Sequence, residues 1–332
     1  MTRHWTGEDL LALSGQFQGA CVLMAAADLD VFAALADGPA TARQLCEELR
    51  TDLRATTVLL DALAAAELLI KRREEYTLAP GLAEALTESG PDNVLAMVRH
   101  RANCLRGWAR LADVVRTGRP AERAASIRGA EADRASFIEA MEVASRQAAP
   151  MLVKAIGPLR FTHLLDVGGG PATWTIAFLR AAPEATATLY DLPSTMPLAE
   201  RHLSAAGLIG RVNLVAGDFY ADEALPGGAD LALLSAIAHQ GSRRQNRDLF
   251  AKVHAALEPG GRVLVRDVVM EESRTSPAAG AMFAVNMLVN TPGGGTFTFR
   301  ELSEDLTAAG FADPVLLRHD EHMNSVVQAV RK

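Results

Sequence analysis

A glycine-rich turn between two apolar segments is the feature of this sequence that most restricts its fold. The run 164–167 is apolar apart from Asp166 and leads into three consecutive glycines. The segment 171–182 has helical character, and the apolar run 186–190 ends at Asp191. A strand, a glycine turn, a helix and a second strand with an acid about twenty residues past the glycines form the layout of a nucleotide-binding βαβ unit.

The residues of this unit restrict the ligand. Gly168 and Gly170 carry no Cβ, so a ligand can approach the backbone closely there. Asp191, at the end of the second strand, is placed to accept hydrogen bonds from both ribose hydroxyls. Thr173 stands where a dinucleotide-binding turn needs its third glycine, which allows close packing beside a pyrophosphate. Together with Asp166, Thr173 favours a ligand with an amino-acid tail over the cofactor of an NAD-dependent dehydrogenase.

A second acid follows the next predicted strand. The run 213–216 reads as a strand and is followed by Asp218 and Phe219. An acid and an aromatic ring there would accept from an adenine amino group and stack on its ring. One aspartate for ribose and one for adenine, on successive strand ends, is the pattern of an S-adenosylmethionine site.

Strands and helices continue to alternate towards the carboxyl terminus. The predicted elements are strand 230–237, helix 242–257, strand 262–270, helix 299–309 and an antiparallel hairpin of strands 315–318 and 325–330. Alternation of this kind predicts a doubly wound, mostly parallel sheet.

Four motifs in combination resemble the S-adenosylmethionine-dependent O-methyltransferases of plant phenylpropanoid and bacterial antibiotic pathways. They are Leu164–Gly170, Asp191–Pro193, Gly217–Phe219 and Glu258–Gly261. The resemblance covers nearly the whole chain and implies an α/β fold: a Rossmann-like class I methyltransferase sheet, mostly parallel with an antiparallel C-terminal hairpin, after an α-helical winged-helix N-terminal domain. It also implies that Leu192 and Ser235 lie at the cofactor, although plant members commonly have a cation at the position of Ser235.

The amino-terminal region predicts the winged helix independently. Residues 10–35 form one or two helices, and Thr41 is a candidate N-cap with Gln44 at the capping-box position. A further helix covers about 52–67, and the apolar runs that flank a charged turn in 68–78 form a hairpin. Two helices followed by a hairpin make a winged helix.

Winged helices often bind DNA, so a regulator that senses S-adenosylmethionine is an alternative. Residues 1–100 hold eight Lys or Arg against fifteen Asp or Glu, and the remainder holds twenty-five of each. A recognition helix presents cations to phosphates, whereas the helix 52–67 is acidic and apolar. The charge pattern therefore predicts no nucleic-acid partner and favours a subunit interface, and the resemblance implies an intertwined homodimer.

Three further features concern location and metals. The three cysteines have no metal or redox spacing, which suits a reducing cytoplasm. No signal-peptide pattern opens the chain, and the apolar stretch 10–27 is interrupted by polar residues, so no membrane span is predicted. His319 and His322 have no further defined ligand nearby, and no metal site is predicted.

The chain length predicts two domains and a connector. The expected boundaries are a winged-helix dimerisation domain at 1–105, a connector and pocket-roofing helix at 106–157, and an S-adenosylmethionine-binding methyltransferase domain at 158–332. Asp133 is expected to cap a long helix that reaches Ile156 and is kinked at Pro150.

The resemblance implies which side chains contact the substrate. The long helix would roof the pocket, with Phe137 and Met141 facing it, although both side chains fit equally well as plain core. Asn286, Met287 and Asn290 would form another wall. Met287 matches a substrate-contacting Met of the family, and each Asn would either hydrogen-bond the substrate or cap a helix end.

The candidate base is His239, which follows the apolar strand 230–237 at the sheet edge where ligands bind. The resemblance implies that His239 is a general base and that Asp267, on the next strand, holds its imidazole. Gln240 stands where the family usually has Asp, and Thr296 replaces a second acid. A homodimeric O-methyltransferase acting on a small aromatic hydroxyl is therefore the leading prediction, and C-methylation of an activated carbon stays an alternative.

Overall fold

The computed structural model describes residues 3–332, which divide into two compact units. The first unit runs to Arg106 and includes Ala124–Val143, whereas the second contains Gly107–Arg123 and Ala144–Lys332. The chain therefore leaves the first unit, returns to it and leaves it again. The functional division into 1–105, 106–157 and 158–332 stays a prediction.

Helices and strands account for most of residues 3–332. The α-helices are α1 (Gly7–Gly15), α2 (Phe17–Asp28), α3 (Val31–Ala34), α4 (Ala42–Leu49), α5 (Leu53–Ala65), α6 (Leu82–Leu86), α7 (Leu95–Trp108), α8 (Leu111–Thr117), α9 (Ala130–Ser145), α10 (Ala148–Ala155), α11 (Thr173–Ala181), α12 (Met196–Ala205), α13 (Arg243–Ala256), α14 (Ala278–Asn290) and α15 (Phe299–Ala308). The strands are β1 (Ala40–Thr41), β2 (Leu69–Arg72), β3 (Glu75–Leu78), β4 (His163–Val167), β5 (Thr186–Asp191), β6 (Val212–Ala216), β7 (Ala229–Ser235), β8 (Leu257–Asp267), β9 (Val269–Met270), β10 (Phe297–Thr298), β11 (Phe311–Arg318) and β12 (Ser325–Arg331).

The first unit contains the winged helix that the sequence predicts. Thr41 caps α4 through a capping box: its hydroxyl accepts from the Gln44 amide at 3.3 Å, and the Gln44 side chain accepts from the Thr41 amide at 2.8 Å. Helix α5 follows, and β2 pairs with β3 as an antiparallel hairpin. Strand β1 pairs with the other edge of β3, which gives a three-stranded sheet.

Helix α1 and the start of α2 contrast with the packed interior of this unit. Helix α1 buries no residue, and Leu11 and Phe17 are 76% and 56% exposed. Among residues 3–332, Gly7–Asp28 is the one helical run long and apolar enough to cross a membrane, although it divides into two helices at Gln16. The end of α2, by contrast, packs into the interior of the unit through Ala26 and Ala27.

The second unit is built on a seven-stranded sheet of order β11-β12-β8-β7-β4-β5-β6. Strands β8, β7, β4, β5 and β6 are parallel, and β12 and β11 join as the antiparallel hairpin. The predicted sheet is therefore confirmed. The chain moves from β4 to β5 and β6 on one side and then returns to β7 on the other. The carboxyl ends of β4 and β7 thus form the switch point at which such sheets bind ligands.

Side chains alternate between two apolar layers across this sheet. One layer contains Leu165, Val167 and residues of α13 and α15, and the other contains Leu164 and residues of α10, α11 and α12. Each strand end consequently presents consecutive residues to opposite faces.

The predicted long helix 133–156 is wrong. Helix α9 begins at Ala130 and ends at Ser145, and α10 begins at Ala148. The ring of Pro150 is incompatible with a helical carbonyl four residues earlier, at Arg146. The helix therefore breaks at 146–147 instead of kinking at Pro150. Asp133 lies inside the first turn of α9, where it accepts from the Ser126 amide at 2.8 Å rather than capping the helix.

Candidate active site

His239 lies in a short 3₁₀ turn just beyond the end of β7. The strand ends at Ser235, Ala236 takes a left-handed conformation with φ of 60°, and the turn covers Ala238–Gln240. The left-handed residue turns the chain sharply at the switch point, which brings the imidazole back over the sheet edge. Only 7% of His239 is exposed.

Asp267, the last residue of β8, holds His239 through both of its carboxylate oxygens. Nδ1 of His239 lies 2.9 Å from Oδ1 and 3.0 Å from Oδ2, and the His239 amide donates to Oδ2 at 3.1 Å. The Val268 amide donates to Oδ1 at 2.8 Å. A carboxylate with these contacts fixes Nδ1 as the protonated nitrogen, so Nε2 keeps a free lone pair that can accept a proton.

Packing fixes the orientation of the imidazole. The Phe283 ring of α14 meets it edge to face, with centroids 4.8 Å apart. The loop 293–295 lies against the backbone of the same turn: the Gly295 amide donates to the His239 carbonyl at 2.9 Å, and a Cβ at Gly294 would lie 2.4 Å from that oxygen. The histidine is therefore held at its ring, its amide and its carbonyl.

The carboxyl end of β4 forms the second part of the site. Asp166 is fully buried; its Oδ2 accepts from the Thr175 hydroxyl at 2.6 Å, and its Oδ1 has no partner among residues 3–332. Burial raises the pKa of Asp166 to about 7. Gly168 and Gly170 take left-handed φ values of 71° and 54°, and a Cβ at Gly168 would meet the Ile237 side chain at 2.4 Å.

The neighbouring strand end carries the predicted ribose ligand. Asp191 accepts from the Gly170 amide at 2.7 Å and from the Leu192 amide at 2.6 Å. These bonds tie the glycine turn to β5. Burial raises the pKa of Asp191, although both amides oppose the shift. The Leu192 side chain is 46% exposed beside this carboxylate.

Asp218 and Phe219 stand one strand further along, after β6. Asp218 is half-buried and accepts from the Tyr220 amide at 2.8 Å, and a Cβ at Gly168 would lie 3.5 Å from the Phe219 ring. Lys252 of α13 holds this loop by donating to the Phe219 carbonyl at 2.9 Å. The strand ends of β4, β5 and β6 thus bring the glycines, three aspartates and the aromatic ring to one edge.

Family models match most of the chain: residues 11–89 match an O-methyltransferase dimerisation domain and residues 108–312 an O-methyltransferase domain. The chain belongs to the O-methyltransferase family. The tetracenomycin polyketide synthesis 8-O-methyl transferase of Streptomyces glaucescens is 32% identical over 92% of this chain and 91% of its own length. The 3-hydroxy-5-methyl-1-naphthoate 3-O-methyltransferase of Streptomyces sahachiroi is also 32% identical, over 93% and 91%.

A solved structure confirms the fold. Human N-acetylserotonin methyltransferase in complex with S-adenosylmethionine superposes with a TM-score of 0.79 over 100% of this chain and 99% of its own, at 24% identity. The protein is an S-adenosylmethionine-dependent O-methyltransferase. C-methylation, the alternative that the sequence left open, is not favoured by this family.

The binding edge of this O-methyltransferase fits its cofactor chemically. Asp166 offers an unpartnered carboxylate oxygen in a site without solvent, which suits a ligand ammonium group. Asp191 and Asp218 offer acceptors at the positions expected for ribose and adenine, and Phe219 offers a ring face. The residue set that the sequence predicts is therefore compatible with S-adenosylmethionine, and the individual assignments stay predictions.

The predicted substrate residues occupy two different units. Asn286, Met287 and Asn290 lie on α14 of the second unit, the helix whose Phe283 contacts His239. Asn290 donates to the Asn286 carbonyl at 2.8 Å and so completes the helix end. This is the helix-capping role that the sequence left open for it. Phe137 and Met141 lie on α9 in the first unit, where Phe137 packs against His100. Their contact with a substrate stays a prediction.

Several residues at the site were not predicted from the sequence. Trp108 donates to the Asn286 side chain at 2.9 Å, and Phe283 contacts His239. Arg266 donates to the Ser235 hydroxyl at 3.1 Å. Phe283 lies one helical turn before Met287 on α14, so helical spacing places it on the same face as that predicted site residue. No sequence pattern near Trp108 indicates that it contacts Asn286. The cation beside Ser235 comes from the adjacent strand, a pairing that depends on sheet register.

Proposed function

We propose that this O-methyltransferase methylates a phenolic hydroxyl of a small aromatic, polyketide-like acceptor, with His239 as the general base. The observation that carries the proposal is the bidentate contact of Asp267 with Nδ1 of His239. It leaves Nε2 as a proton acceptor at the switch point of the sheet. The two Streptomyces relatives support the acceptor class, because one is named as an 8-O-methyl transferase of tetracenomycin polyketide synthesis and the other as a 3-O-methyltransferase of a hydroxylated naphthoate.

The chemistry requires a base that is oriented rather than strong. S-adenosylmethionine supplies an electrophilic methyl group on a sulfonium when it is bound. A free phenol with a pKa near 10 and a free imidazole near 6.5 differ by about 3.5 units, or roughly 5 kcal/mol. Removal of the proton must therefore accompany methyl transfer, or the site must lower the pKa of the phenol. The Asp267 carboxylate helps by stabilising the imidazolium, and burial of His239 excludes water.

The cofactor would be held along the edge of three strands. We assign Asp191 and Leu192 to the ribose, Asp218 and Phe219 to adenine, and Asp166 to the amino-acid tail. Gly168 and Gly170 allow close approach of the ligand to the backbone, and we assign Ser235, the last residue of β7, to the cofactor as well. Phe137, Met141, Asn286, Met287 and Asn290 are assigned to the acceptor.

We further propose a cytoplasmic homodimer without membrane or nucleic-acid partners. The exposed apolar residues of α1 and α2 fall largely inside the dimerisation match at 11–89. A second copy would cover the apolar run Gly7–Asp28, whose polar Ser14, Gln16 and Gln18 suit a protein interface better than a bilayer.

The proposal is tested by incubating the protein with S-adenosylmethionine and a panel of phenols, anilines and activated carbon acids. We expect the added mass to be located on oxygen by fragmentation. His239→Ala should lower turnover on the best acceptor roughly 10²–10⁴-fold while leaving S-adenosylhomocysteine affinity nearly unchanged. Activity of the variant should recover at high pH, where the phenolate forms without a base.

His319→Ala is the matched control, because His319 is an exposed histidine of the same unit, outside the predicted site. It should keep wild-type turnover. Methylation on nitrogen or carbon alone would contradict the acceptor class. Near-wild-type turnover of His239→Ala at neutral pH would show that the histidine is structural and that proximity alone supports transfer.

A further inference from the structure

Arg266 is a buried cation at the carboxyl end of β8, with 5% of its surface exposed. Its Nε and Nη2 donate to the Asn324 side-chain oxygen at 3.1 and 2.8 Å, and its Nη1 donates to the Ser235 hydroxyl at 3.1 Å. The guanidinium lies 4.3 Å from the centroid of the Trp174 ring. Every one of these partners is neutral.

A buried guanidinium normally has a carboxylate beside it, because removal of a charge from water is costly. Arg99, the other buried arginine among residues 3–332, pairs with Asp30 and Glu88. Arg266 has no carboxylate within 4 Å in that same part of the chain; Asp267 and Asp320 attract it from further away. Burial lowers the pKa of Arg266 to about 10. The arginine therefore lacks a close counter-charge.

The N–H groups of Arg266 that make no hydrogen bond also favour an anionic ligand. The three donated bonds occupy the single N–H of Nε and one N–H on each terminal nitrogen. One N–H on Nη1 and one on Nη2 stay available, and a guanidinium presents such a pair to a carboxylate in a bidentate geometry. The site is thus suited to an anion with two oxygens.

The position of Arg266 on the sheet indicates which anion this is. Ser235 and Arg266 are register partners at the ends of β7 and β8. The strand order runs from β6 through β5 and β4 to β7 and β8. A ligand with adenine at β6 and ribose at β5 directs its remaining atoms towards β4 and β7.

Asp166 and Arg266 lie under the same helix. Asp166 accepts from Thr175 of α11, and Arg266 stacks on Trp174 of α11. Next to this helix, β4 therefore carries a carboxylate oxygen without a hydrogen-bond partner among residues 3–332. Strand β8 carries a guanidinium without a close carboxylate. An amino acid in its zwitterionic form carries the two opposite charges.

We propose that Arg266 binds the carboxylate of the methionine tail of S-adenosylmethionine, with Ser235 and Asn324 as its positioning residues. This inference rests on the proposed cofactor site. At the paired ends of β7 and β8, the positive charge is carried by Arg266 on β8, because Ser235 on β7 is neutral.

Calorimetry of the full chain with two nucleoside probes tests the proposal. S-adenosylhomocysteine carries the amino-acid tail, and 5′-methylthioadenosine has the same nucleoside thioether without it. Arg266→Met should weaken S-adenosylhomocysteine binding about tenfold or more and leave 5′-methylthioadenosine binding within about twofold of wild type. Arg262→Met, in the middle of β8, where the side chain donates to the Arg160 carbonyl, should leave both affinities unchanged.

Each contrary result has a separate meaning. Equal weakening of both probes would make Arg266 a structural residue and overturn the inference. Unchanged S-adenosylhomocysteine affinity would also overturn it, and a higher KM restricted to acceptors with a carboxylate would then assign the arginine to the acceptor. Absence of S-adenosylhomocysteine binding by the wild-type protein would instead contradict the proposed cofactor site.

Discussion

Asp166 is a fully buried carboxyl group with a hydrogen-bond partner on only one of its oxygens. Desolvation is the largest cause of its raised pKa of about 7, and the negative charge of Asp191 adds to it. A site of this kind costs stability in the ligand-free protein, because the ionised form has lost its water without gaining a cation. Binding of a cationic group would recover part of that cost.

The sign of the pH dependence follows from the shift. The unfolded chain releases the proton of Asp166 near the ordinary value of 3.8, whereas the folded chain holds it to about 7. Stability from this group is present below the lower pKa and is lost as pH rises through the higher one. Asp166→Asn should therefore raise the Tm of the ligand-free protein at about pH 8, with a smaller gain at about pH 5.

Thermal unfolding followed by circular dichroism at both pH values measures this effect. Asp248→Asn, an exposed carboxylate on α13, is the control and should not change the pH dependence. A variant that is less stable than wild type at the higher pH would show that Asp166 has a counter-charge in the ligand-free protein. Equal gains at both pH values would contradict the linkage.

At the scale of elements, the 3₁₀ turn that carries His239 depends on the loop before β10. The Gly295 amide donates to the His239 carbonyl at 2.9 Å, and Asn246 of α13 donates to the Ala238 carbonyl at 2.9 Å. The turn is thus held from two sides by elements distant in sequence. Asp267 fixes the ring, and these contacts fix the backbone below it.

Two glycines of this loop provide a matched pair of substitutions. A Cβ at Gly294 would lie 2.4 Å from the His239 carbonyl oxygen, whereas nothing lies within 4 Å of a Cβ at Gly295. Gly294→Ala should displace the turn and lower kcat about tenfold or more, because small displacements of a reacting group are costly. Gly295→Ala should keep kcat within about twofold of wild type.

Steady-state kinetics of both variants, together with S-adenosylhomocysteine affinity, checks this prediction. The affinity should be nearly unchanged in Gly294→Ala, because the residues assigned to the ribose and adenine lie at the ends of β5 and β6. Equal kcat values for the two variants would mean that the loop yields to the methyl group and does not position His239.

At the scale of the whole molecule, the chain combines a winged-helix unit with a methyltransferase unit, and its charge is divided accordingly. The net charge of −7 arises from the residues of the amino-terminal third. An acidic surface opposes association with phosphate backbones. The apolar exposure of α1 and α2 favours a protein partner for this unit, and the dimerisation match makes a second copy the proposed one.

Light scattering coupled to size exclusion tests the dimer. The wild-type protein should have twice the 35.3 kDa mass of one chain at micromolar concentration. Leu11→Asp combined with Phe17→Asp should raise the dimer dissociation constant by about tenfold or more, since both exposed apolar side chains would become charged in the interface.

Val115→Asp is the control, because Val115 is 66% exposed on α8 and lies outside the dimerisation match. It should leave the mass unchanged. A wild-type monomer at micromolar concentration would contradict the interface interpretation of the amino-terminal helices.

The sequence by itself determined the features that local chemistry encodes. Apolar runs, turn glycines and capping residues act within a few positions of one another, so the sheet strands, the Thr41 capping box and the C-terminal hairpin were predictable. The Pro150 signal was also present, but its effect was misplaced, because a proline disturbs the helix four residues earlier rather than at its own position.

The tertiary structure alone decided which distant side chains meet. Sheet register places Ser235 opposite Arg266, and a shift of one residue would move the guanidinium to the face that holds Asp267 and His239. Packing of α14 brings Phe283 to His239, and Trp108 reaches Asn286 from 178 residues away. These contacts depend on strand pairing and helix packing across the whole second unit, and no local sequence pattern specifies them.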